Sequence, residues 1–109
     1  MNKNLEKTNS MNIKEQTLHF KQFSQKQEEV FLAKGNDYSN EDRLSNFKTV
    51  AAITNLSAET VALVMIGIKV ARLGVLLKSA TSPENESVRD SALDLANYSV
   101  LLDAILSEK

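Results

Sequence analysis

Cysteine is absent from this chain. Disulfides and thiolate-held zinc are thereby excluded. A single histidine, His19, cannot build a multi-histidine metal centre, so any metal ion would be a hard cation held by carboxylates. Tryptophan is missing too, and only one proline and three glycines punctuate 109 residues. So few breakers, with no run of period-two alternation, argue against a β-rich fold. Charge of one sign is also lacking. The formal net charge is -1, which offers no long-range attraction to DNA or RNA. The first residues, MNKNLEKTNSMNIKEQ, have no apolar stretch of the kind a secretory signal needs, and a cytoplasm is the default expectation.

What is present is ordinary for one globular domain: 42% hydrophobic and 25% charged residues, in a length that supports a single core. Residues 1–11 read as a flexible amino-terminal segment, with Met11 an alternative start, and residues 12–109 as one helical domain. The first helix is expected from Ile13 to Lys34, with Gly35 as a left-handed cap. The second should begin near Ser39, where Ser39 and Asp42 resemble a capping box, and end at Asn55. The third is expected from Ser57, a good N-cap, to Ser79. The loop SATSPENE then leads to a fourth helix from about Glu84 to Ser107. The fold class is therefore all-α, a compact four-helix domain. Val61 to Ile68 is apolar all round, which predicts a buried central third helix. Lys69 and Arg72 on that helix argue against a membrane span, because each is costly in hydrocarbon. One small chain has little with which to cover such a helix, so a homo-oligomer is expected.

Two groups of charges require partners. Lys69 and Arg72 are three residues apart on the most apolar helix, so either their stems lie on apolar surface with the heads in water or both face a polar cleft. Glu86, Asp90, Asp94 and Asn97 follow one another at spacings of four, four and three along the fourth helix. Like charges four apart weaken a helix, so something should compensate. Arg89, the Lys69 and Arg72 pair, or a divalent cation all qualify. Between the first two helices, LAKGNDYSNEDRLSNF brings Asp37, Tyr38 and Asn46 around one bend. Tyr38 can stack on a base and Asn46 can hydrogen-bond one. Read structurally, the same residues are a turn and a core contact. NLSAET also suits the turn of a DNA-binding helix-turn-helix, but its second helix is apolar where bases would be read.

The segments KGNDYSNEDRLSNF, IKVARLGVLL and ESVRDSALDLANYSVLL resemble the phage and prophage family called nucleotide modification associated domain 1. The shared pattern falls on Lys34, Asp37 and Tyr38, then on Lys69, Arg72 and Leu73, then on Asp90 and on Asp94 through Tyr98. That family in turn is similar to the all-α nucleoside triphosphate pyrophosphohydrolases of the MazG and dimeric dUTPase group. The resemblance implies a nucleotide or cyclic nucleotide as ligand. Lys69 and Arg72 would hold its phosphate, and Lys34, Asp37, Tyr38, Asn46 and Asn97 would complete the site. It implies a role in nucleotide metabolism or modification, or in sequestering a defence signal. It also implies magnesium as the cofactor of any hydrolysis, held by Glu28 or Glu29 with Asp90 and Asp94. Glu28 and Glu29 are fewer carboxylates than the E-E-x-x-E of those enzymes, which favours binding over turnover. A magnesium-dependent pyrophosphohydrolase and a non-catalytic oligomeric interaction protein are the alternative readings.

Overall fold

The computed structural model describes residues 10–36, 44–79 and 85–108, and four helices occupy nearly all of them. They are α1 (Ile13–Asn36), α2 (Ser45–Thr54), α3 (Ala58–Ser79) and α4 (Asn85–Ser107). The capping residues Ser39 and Asp42 lie outside the described residues, as do Asp37, Tyr38 and positions 1–9.

Local chemistry sets the helix ends. Asn12 and Glu15 form a reciprocal capping box at the start of α1. The Glu15 N–H donates to Asn12 Oδ1 at 2.8 Å, and the Asn12 N–H donates to Glu15 Oε1 at 3.0 Å. Gly35 is not the predicted cap, because α1 runs through it to Asn36. Asn55 closes α2 at φ 61°, the left-handed conformation that asparagine tolerates better than most residues. The Leu56 N–H then donates back to the Ala51 carbonyl at 3.0 Å. Ser57 caps α3 as expected, its Oγ accepting from the Thr60 N–H at 3.1 Å.

The most intimate pair is α3 with α4; α2 packs on α3, and α1 on α4. The first two form an antiparallel hairpin, since Lys69 meets Asp94 while Val61, nearer the start of α3, clusters with Leu101, further along α4. All four helices feed one core. Phe47, Val61, Ala62, Leu101 and Ile105 are buried, with Phe31, Met65, Tyr98 and Leu102 packed around them. Ala62 is fully covered, where a small side chain lets α3 approach its neighbours.

One expectation is corrected here. A single chain does not bury α3 all round. Among the described residues Val61 and Ala62 are its only buried ones, and Leu63, Val64, Ile68, Val70, Val75 and Leu77 are half or more exposed. The reason is the number of neighbours. α4 and α2 cover one side of the helix, and no third helix lies against the other among the described residues. Ala58–Lys78 is long and apolar enough to cross a membrane, with a mean hydropathy of 2.0 over its most apolar stretch. Its covered side is nevertheless tied along α4 by the Lys69–Asp94 ion pair, which hydrocarbon would penalise.

Candidate functional site

Of the charges that the sequence left without partners, Lys69 meets Asp94, and Lys34 joins them. Lys34, from the last turn of α1, donates to Asp94 Oδ1 at 3.0 Å. Lys69, from the middle of α3, donates to Asp94 Oδ2 at 3.4 Å. One carboxylate thus spends one oxygen on each of two ammonium groups and ties three helices together. Lys69 and Asp94 keep only 22% and 23% of their side-chain exposure, whereas Lys34 keeps 48%. Each ammonium has three donors, and this arrangement uses one of each. The cluster carries a net positive charge.

Tyr98 lies one helical turn beyond Asp94. The Lys69 ammonium sits 5.8 Å from its ring centroid, within cation–π range. Phe47 meets the same ring edge-on, with centroids 6.3 Å apart and planes at 90°. Beside this pair is a cavity of about 230 Å³ lined by Asn46, Phe47, Val50, Val61, Met65, Tyr98 and Leu101. That is smaller than the roughly 300–1,000 Å³ of drug-sized ligand pockets, so it fits one ring system and not a whole nucleotide. Its walls are mainly apolar, with the Asn46 amide at the edge.

Asn97 takes a different role from the one predicted. It is 6% exposed, and its Nδ2 donates to the Gln27 carbonyl of α1 at a long 3.5 Å. Its Oδ1 is buried with no hydrogen-bond partner. It therefore faces the backbone of α1, because α1 crosses α4 at this turn. An unsatisfied buried acceptor costs about 1–3 kcal/mol.

The remaining predicted residues divide. Arg72 does not share the cleft with Lys69. It is exposed, and no ion pair to it is found among the described residues, because a three-residue step turns it about 60° away on the helix. Glu28 and Glu29 are both exposed on α1. Asp90 is exposed and lines a second cavity, while Asp94 is held by the lysines. Among the described residues no three carboxylates or histidines converge as a metal group. Glu86 has a side chain outside the described set.

Sequence reasoning missed that second cavity. His19, Gln22, Phe23 and Lys26 of α1 face Arg89, Asp90, Ala92 and Leu93 of α4 around about 700 Å³. Phe47 and Met65 belong to the core cluster and are also walls of the smaller cavity. Helical periodicity reports the inward face but not the gaps left in it. The chain matches no protein-family model, no curated protein and no solved structure.

Proposed function

We propose that this protein binds a nucleotide, and that it does so as a homo-oligomer in which α3 is buried between copies. The observation that carries the binding reading is the double use of Tyr98. Its ring is a wall of the single-ring cavity and also the surface on which the Lys69 ammonium rests. A base in the cavity would place its phosphate end beside Lys69 and Lys34. Asp94 is then a positioning residue. It holds two ammonium groups in one place while leaving most of their donors for phosphate oxygens. Asn46 supplies the amide that tells one base from another. Arg72, exposed on the same helix and turned out of the Lys69 cleft, would be a third cation, meeting the phosphates from the solvent side. The resemblance to nucleotide modification associated domain 1 supports the same ligand class, through Lys34, Lys69, Arg72 and Asp94 to Tyr98. On this reading the protein would serve phage nucleotide metabolism or modification, or sequester a defence signal.

The oligomer reading rests on the small core. Among the described residues six hydrophobic ones are buried, while sixteen large ones remain exposed. A monomer seldom leaves so much apolar surface open.

The test is thermal shift with nucleoside triphosphates, monophosphates and cyclic nucleotides, each with and without magnesium, followed by recovery of the ligand. A ligand that binds only the folded state raises Tm. Recovery of intact nucleotide supports a binder, and magnesium-dependent cleavage supports a pyrophosphohydrolase. Arg72→Ala should leave stability within about 0.5 kcal/mol, as an exposed substitution does, while weakening phosphate binding. A panel with no shift refutes the nucleotide reading and leaves Asp94 as an interhelical tie in an interaction protein.

A further inference from the structure

The uncovered side of α3 has an order that a random apolar surface lacks. Thr60, Leu63, Gly67, Val70, Gly74 and Leu77 follow one another at spacings of three, four, three, four and three. That is the spacing of a coiled-coil seam. All six are exposed, with Leu63 at 60%, Val70 at 52% and Leu77 at 65%. The two glycines are unexplained by the single chain. A Cβ at Gly67 or Gly74 would meet nothing within 4 Å, so neither glycine makes room for a neighbour already present. Each nevertheless costs a helix interior about 1 kcal/mol relative to alanine.

A second α3 accounts for them. Reversing the seam on itself sets Thr60 against Leu77, Leu63 against Gly74 and Gly67 against Val70. Every pair joins a larger residue to a smaller one, so each projection meets a gap. The same reversal brings Glu59 at one end opposite Lys78 at the other, and it opposes the two helix dipoles. A self-complementary strip of this kind fits a two-fold axis, where one patch serves both copies.

From this order we infer that two copies of the chain pair antiparallel through α3, with Leu63 of each seated over Gly74 of the other. The inference rests on the homo-oligomer part of the proposed function and adds its geometry. Leu63, Val70 and Leu77 on the seam, with Val64 on its flank, offer on the order of 350 Å² of apolar surface per copy, the larger part of what a standard interface takes, about 800 Å² per partner, some 60% of it apolar. A second copy is also always present where the chain is made, which suits a core too small to stand alone. A helix spanning a bilayer fits less well, since the opposite side of α3 carries the Lys69–Asp94 pair, which hydrocarbon would penalise.

The natural chain contains no cysteine, which makes cross-linking direct. Leu63→Cys and Gly74→Cys are made separately, and circular dichroism checks that each remains helical. Mixed and oxidised, they should give a covalent dimer through one disulfide. Neither alone should cross-link, because like positions stand eleven residues, or about 16 Å, apart in the antiparallel pair. Wild-type mass by light scattering should be at least twice the 12.1 kDa of one chain. Self-linking of Leu63→Cys alone, or an assembled protein whose mixed variants do not link, overturns the antiparallel register and leaves the homo-oligomer standing. A mass of 12.1 kDa at every concentration, or recruitment of that monomer to phosphatidylglycerol vesicles, overturns both. Neither result bears on nucleotide binding, which the thermal-shift panel reads separately.

Discussion

Gly74→Ala reverses its sign with the state of assembly. In a single chain the new methyl enters open space, since nothing lies within 4 Å of its Cβ. Alanine then stabilises the helix interior by about 1 kcal/mol. For a domain near this size, that raises Tm by about 4 °C. In the antiparallel pair the methyl instead meets Leu63 of the second copy, and the symmetry repeats the clash at a second site. Overpacking of this kind costs typically 1–3 kcal/mol per site, which exceeds the helical gain. The assay is a set of circular dichroism melts across a hundredfold range of protein concentration, with mass measured at each. Wild-type Tm should rise with concentration, because the paired state is favoured by mass action. The variant should melt higher than wild type when dilute and lower when concentrated. An increase of about 4 °C at every concentration, with assembly intact, refutes the pairing through α3. A decrease in the dilute monomer refutes the open surface around Gly74.

Leu101→Ala should cost about 2–5 kcal/mol in urea unfolding, a large share of a total of 5–15 kcal/mol, because Leu101 is buried in a core of five residues. Lys34→Ala and Lys69→Ala should each lower stability by about 1 kcal/mol or less, given their partial exposure. Both should weaken nucleotide binding about tenfold in titration calorimetry, whereas Lys48→Ala, which loses an exposed pair with Glu108, should not. Asn55→Gly should leave Tm unchanged or higher, and Asn55→Val should lower it by about 1–2 kcal/mol in stability, because only the former accepts φ 61° without strain.

The helices and several of their ends were legible in the sequence, because caps and periodicity act over three or four residues. Ser57, Asn55 and the period of α4 are cases in point. The sequence also marked Lys69, Arg72 and Asp94 as charges in need of partners, since ionised groups on apolar helices are costly. Which partner each would find was a matter of tertiary structure. Lys34 lies sixty residues from Asp94 and Lys69 twenty-five, and no local rule joins them. Arg72 shares a helix with Lys69, yet the position of α4 draws one inward and leaves the other in water. The composition of α3 determined that its whole circumference seeks cover. Only the packing of α4 and α2 decided which side its own chain supplies, because an all-round apolar helix has no moment to orient it.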